Sequence, residues 1–165
     1  MQALSSKEIR ASFVNATKGE AQRLNLPDDL DDLDDRAWAQ RDFLGWVDPR
    51  APQQAALVVP RADGPVGVRL RRNLSSGASH KMCSICCTVH RASAVALMVA
   101  NRAGRAGRDG NTVGLDICSD LGCSGYVRGW LTMPAISLVA ETMTTDDKVA
   151  RMQANLDTFL RRVRR

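Results

Sequence analysis

The sequence predicts an α+β fold in which short N-terminal helices and a C-terminal helix flank a central antiparallel sheet. Three observations carry that prediction: two capping-box patterns near the N-terminus, apolar residues alternating with polar ones through the middle of the chain, and an apolar stripe at helical spacing near the C-terminus. At 165 residues the chain has room for one main core and not for two large independent ones. A single domain over 1–165 is expected, with a helical and loop part at 1–52, a β-rich core at 53–130 and the C-terminal helix within 131–165. Only 4% of the residues are aromatic, so that core is aliphatic and modest, and a metal staple would help it.

In chain order, Ser5-x-x-Glu8 is a capping box before Ile9, Phe13 and Val14, and Thr17-x-x-Glu20 is a second one before Ala21 and Leu24; Pro27 then ends any helix. The stretch DDLDDLDD at 28–35 places six aspartates among eight residues, and their mutual repulsion predicts a solvated linker. No Gly or Glu stands there at EF-hand spacing, which argues against a calcium site. Trp38, Phe43, Leu44 and Trp46, followed by Pro49 and Pro52, read as a packed loop covering the core. From Ala55 the period changes to two. AALVV, a turn at Ala62-Asp63-Gly64-Pro65 and VGVRLRR form a hairpin with one apolar and one basic face. SAVALMVA and TVGLDI form a second hairpin around NRAGRAGRDGN, a Gly-rich loop that presents Arg102, Arg105 and Arg108 on a mobile tip. The last helix opens at Thr144 or Thr145 with Asp146 and Asp147 in its first turn and closes on Arg161, Arg162, Arg164 and Arg165, charges that complement its dipole at both ends. Val149, Met152, Leu156, Phe159, Leu160 and Val163 share one face of it.

The net charge of +5 is unevenly placed. Residues 61–108 hold nine basic residues against one acidic, whereas the flanking segments are acidic or balanced. Such a segment faces RNA, an acidic protein surface, or solvent alone. No apolar stretch reaches the roughly 18 residues a membrane span needs, and the N-terminus lacks a signal-peptide pattern, so a cytoplasmic protein is expected. Five cysteines, an odd number with CxxC spacing, fit metal ligation in a reducing compartment better than a disulfide framework.

Cys83-x2-Cys86 and Cys118-x4-Cys123 are separated by 31 residues that contain the second hairpin, so two knuckles can bring four thiolates together around Zn2+, a cation with no d-electron geometry to satisfy. Thioredoxin-like redox chemistry is the competing reading of CSIC, but no βαβ pattern surrounds it. Cys87 is a spare thiol whose plain role is a small buried hydrophobe. His80 and His90 are either surface or hydrogen-bonding residues, or coordinate metal or support a ligating sulfur. A four-thiolate site leaves no open position for water or substrate, which argues against zinc hydrolysis. GRAGRDG lacks the Gly-Lys-Ser/Thr ending of a P-loop, and no Ser-His-acid set is apparent. No enzyme is expected from these residues; they suit a binding protein.

The stretches SFVNATKGEAQRLNLP (12–27), FLGWVDP (43–49), GVRLRR (67–72), HKMCSICCTVH (80–90), LMVANRAGRAGRDGNTVGLDICSDLGCSGYVRG (97–129) and NLDTFL (155–160) together resemble the FusB-like elongation factor G-binding proteins, whose C-terminal part is a treble-clef zinc finger. The resemblance implies a treble-clef-like centre with Cys83, Cys86, Cys118 and Cys123 as zinc ligands. It implies elongation factor G as partner and a role in freeing the factor from ribosomes stalled by fusidic acid; the alternative, carried by the nine basic residues of 61–108, is a zinc-dependent protein that binds RNA or the ribosome. The residues to test as partner contacts are Arg102, Arg105, Arg108, Tyr126 and Arg128. The chain differs from the resistance proteins in lacking most of their long N-terminal helical bundle and in placing Cys87 directly after the first knuckle.

Overall fold

The computed structural model describes residues 1–74, 79–133 and 142–165. Five strands form one antiparallel sheet in the order β1-β2-β3-β6-β7: β1 Leu44–Val47, β2 Gln54–Val59, β3 Val66–Leu74, β6 Val95–Asn101 and β7 Thr112–Cys118. Between β3 and β6 in the chain, β4 (His80–Met82) and β5 (Val89–Arg91) pair as a separate small ribbon. Both expected hairpins are present, with Val59 opposite Val66 in the first and Asn101 opposite Thr112 in the second.

Period two alone does not describe β2, in which Ala55 through Val59 are all buried. The reason is that the sheet is covered on both faces there. Ala55, Leu57 and Val59 face the main core, which also holds Val68, Leu70, Met98, Ile117, the four clustered cysteines and the last helix. Ala56 and Val58 face a second, smaller core built from Leu44, Trp46, Ile9, Leu30 and Trp38. The N-terminal elements supply that second layer: α1 Ser6–Ala11, α2 Lys18–Gln22 and α3 Asp35–Ala39. Both capping boxes form, with Ser5 accepting from the Glu8 amide and Thr17 from the Glu20 amide.

Two expectations are corrected in this layer. The aspartate-rich stretch is not a plain linker: Leu30 sits in a single 3-10 turn and is buried, Leu33 packs beside it, and Asp34 caps α3 by accepting from the Ala37 amide. The aspartates stay in water while the two leucines between them anchor the segment. Likewise Leu44 and Trp46 belong to edge strand β1, not to a loop, and Trp46 donates its indole N–H to the Asn25 carbonyl.

The segment after α1 seals the sheet. Gly67 takes a parallel bridge from Phe13, with Val14 N–H donating to the Gly67 carbonyl and Gly67 N–H to the Ser12 carbonyl. A Cβ on Gly67 would stand 2.5 Å from Ser12 Oγ and 3.1 Å from the Phe13 ring, so any larger residue would have to displace Ser12 and press on that ring. Asn15 then bridges the split between β3 and β6, accepting from Arg69 N–H and donating to the Arg69 and Asn101 carbonyls.

The tip of the second hairpin is also corrected: it is not a free loop but contains a helical turn, α4 Gly104–Arg108. Its neck is closed by Arg102 N–H to the Asn111 carbonyl, and Ala103 N–H donates to the carbonyl of Val163 on the last helix. Gly107 lies so close to Arg102 that a Cβ would fall 1.8 Å from the Arg102 carbonyl oxygen. Two further helices complete the chain: α5 Cys123–Arg128 and α6 Thr145–Arg164. Thr144 caps α6, and Met152, Leu156, Phe159, Leu160 and Val163 are buried as the stripe predicts, with Val149 packed at the edge. Among the described residues no helix is long and apolar enough to cross a membrane.

Candidate metal centre

Three local structures deliver four thiols to the same point. Cys83 and Cys86 lie in the turn joining β4 to β5, Cys118 ends β7, and Cys123 opens α5. All four are buried, and their sulfurs lie within 4.8 Å of one another. Cys83 Sγ is 3.7 Å from Cys123 Sγ, and Cys86 Sγ is 3.5 Å from Cys118 Sγ. A tetrahedron with Zn–S bonds of about 2.3 Å has edges near 3.8 Å, so these separations are of the size a zinc donor set needs.

Each knuckle is shaped by a residue with left-handed backbone. Cys87 has φ of 62° and its N–H donates to the Cys83 carbonyl; Leu121 has φ of 57° and its N–H donates to the Cys118 carbonyl. Neither is glycine, so each turn carries about 1–2 kcal/mol of steric cost, which metal binding and packing must offset. The sulfurs are supported in turn. Ile85 N–H and Cys86 N–H point at Cys83 Sγ, at 3.4 and 3.5 Å. His90, buried on β5, places Nε2 3.4 Å from Cys118 Sγ. A zinc-bound thiolate has no proton to give, so the ring donates Nε2–H to it. Tyr126 packs edge-on against that ring at 4.7 Å between centroids and donates its hydroxyl to Asp120.

The thiols also act on one another electrostatically. The Cys118 sulfur beside it draws Cys86 far below the ordinary thiol range, while the same neighbour pushes Cys123 well above it. Four buried thiolates cannot coexist uncompensated, and a dication resolves the conflict by taking up their charge. With all four positions filled by sulfur, the centre is of the closed, structural kind.

The last helix reads the first knuckle directly. Asn155 Nδ2 donates to the Ile85 carbonyl, and Arg151 Nη2 lies 3.5 Å from the Cys86 carbonyl. A second tie was invisible in the sequence. Asp42, just before β1, keeps 2% side-chain exposure and accepts from Nε and Nη2 of Arg128 at 2.9 and 2.7 Å and from Gln153 Nε2 at 3.2 Å, while its own N–H donates to Ser124 Oγ. It joins the N-terminal layer to α5 and α6. A lone aspartate near an aspartate run carries no sequence signal for such a role.

The remaining singled-out residues separate into groups. Arg128 and Tyr126 are engaged in internal contacts around the metal centre. Arg102 and Arg108 line a groove beside β3 and β6, and Arg105 lies outside it, exposed and 3.5 Å from Asp109. Cys87 is half-buried and stands outside the ligand cluster, with its sulfur 3.8 Å from Asn155 Nδ2; His80 is exposed.

Fold and site together define a zinc-binding protein whose metal centre is structural: a hairpin knuckle and a strand-to-helix knuckle closing on one ion. The chain belongs to the FBP C-terminal treble-clef zinc-finger family, whose model matches residues 8–163 and so takes in both the sheet and its N-terminal layer. No curated protein matches the sequence significantly.

Proposed function

We propose that this protein is a non-catalytic binding partner of translation elongation factor G that promotes release of the factor from the ribosome. The observation that carries the reading is the family match over residues 8–163 with all four ligand cysteines in bonding distance of one point. A closed four-thiolate centre holds a surface in shape and leaves no position at which a substrate is activated. Close to it in sequence stand two side chains of the kind a protein partner buries: Met82, one residue before Cys83, and Trp130, two residues after α5, are 58% and 43% exposed. In this reading no bond is made or broken by the protein.

The test is a calorimetric titration of purified, nucleic-acid-free elongation factor G into the zinc-loaded protein. Saturable binding that weakens at least about tenfold in a Met82→Ala/Trp130→Ala variant of unchanged metal content supports the reading, since one or two hot-spot side chains carry that much. No binding to the wild-type chain overturns it.

A further inference from the structure

We propose that the groove between the Val14–Glu20 segment and the α4 turn binds the phosphate backbone of single-stranded RNA. The groove has a volume of about 670 Å³. Its floor is the open part of the sheet face that the N-terminal layer covers elsewhere. The pairing register carries that face from Ala56 and Gln54 on β2 to Arg69 and Arg71 on β3 and on to Val99 on β6.

Cations that are not used inside the fold converge there. Of the nine basic residues in 61–108, Arg61 pairs with Asp157, Arg69 with Glu20, Lys81 with Asp116 and Arg105 with Asp109, and Arg72 donates to the Ser119 and Pro52 carbonyls. Of the remaining four, whose side chains have no hydrogen-bond or ion-pair partner among the described residues, Arg71, Arg102 and Arg108 line this groove, and Arg91, exposed on β5, does not. The one acidic residue in the lining, Glu20, is already neutralised by Arg69 at 2.8 Å. The α4 turn is fixed, not mobile, because Gly107 packs on the Arg102 carbonyl and Ala103 is bonded to α6. The backbone that carries Arg102 and Arg108 is therefore set on one wall before any ligand arrives, which lowers the entropy cost of binding to that of ordering the two side chains.

The lining favours a phosphodiester chain over an acidic peptide. A peptide gains affinity by adding to a free strand edge or by burying a large apolar anchor. The β3 edge here is already taken by Phe13 and Asn15, and among the described residues the apolar side chains of the lining are those of Val14, Ala16, Leu70 and Val99, of which Leu70 is buried. Phosphates need only the guanidinium forks and neighbouring amides such as Gln53 and Asn101. Among the described residues no aromatic side chain lines the groove, so bases have nothing there to stack on and recognition is independent of sequence.

The experiment is fluorescence polarisation of a labelled short oligouridylate titrated with the zinc-loaded full chain. Three phosphate contacts on a single strand predict a slope of about −2 in log K against log salt. Arg71→Ala/Arg102→Ala/Arg108→Ala should lower affinity at least tenfold with metal content unchanged; Arg108→Glu, a single exposed change, should do the same should the triple variant misfold. Arg105→Ala should leave affinity unchanged. A wild-type chain that does not bind the oligonucleotide, groove variants that bind as well as wild type, or an oligoglutamate peptide of equal charge that binds more tightly and displaces it would each overturn the proposal. Elongation factor G is titrated separately, so loss of that binding with oligonucleotide binding intact counts against the protein-partner reading alone.

Discussion

His90 does for the metal centre what no cysteine can do for itself. Its Nε2–H donates to Cys118 Sγ, which fixes the ring and draws charge from a buried thiolate, and Tyr126 holds the ring from the side. Replacing His90 with Ala should lower zinc affinity about 10–100-fold while leaving one ion bound at saturation, as read by competition with a chromophoric chelator. An unchanged affinity would show that the histidine only fills space. At this scale the sequence disclosed the ligands and not their support. CxxC and Cx4C spacings are chemical statements in themselves, so the four thiols were legible. His90 was legible only as one of two alternatives, because its distance to Cys118 depends on how β5 lies against β7. Asp42 was not legible at all, since its three partners come from α5 and α6, more than 80 positions away.

Helices and hairpins were readable where a local pattern sets them. The capping boxes, the two hairpins and the α6 stripe are short-range periodicities and appear as expected. Edge strand β1, the 3-10 turn at Leu30 and the β4/β5 ribbon were missed because burial by distant layers, not local pattern, decides them. Two predictions belong to this scale. Phe159 on α6 is 2% exposed in the main core, so Phe159→Ala should cost about 3–5 kcal/mol in denaturant unfolding; a change within error would mean that α6 does not dock. The second concerns acid. The Thr17 N–H, then the Thr17 hydroxyl, hold the Glu20 carboxyl below the ordinary glutamate range. A carboxyl depressed in the folded state takes up its proton later than in the unfolded chain. Its contribution is therefore complete above the unfolded value of about 4.3 and is lost as pH falls through the lower folded value. Glu20→Gln should flatten the acid limb of melting temperature against pH below about pH 5. A limb as steep as the wild type's would show that the Glu20 charge contributes nothing to stability.

In the whole molecule, the sheet joins two cores and the metal joins the parts of the larger one. The N-terminal layer closes one face at β1 and β2, and α6 closes the other. The centre brings the β4/β5 ribbon, the end of β7 and the start of α5 to a single point. With so few aromatic residues, that core has little reserve without it. Structural zinc contributes an apparent 10–16 kcal/mol, roughly, to small zinc-finger domains, against a net stability of about 5–15 kcal/mol for a typical domain. The decisive measurement is thermal unfolding followed by circular dichroism, with bound zinc quantified on the same sample, before and after chelation and for Cys118→Ser. One zinc per chain, and loss of the cooperative transition whenever the ion is removed or the thiolate is missing, is the predicted result. A chelated, zinc-free chain that keeps its native spectrum and melting transition would contradict it.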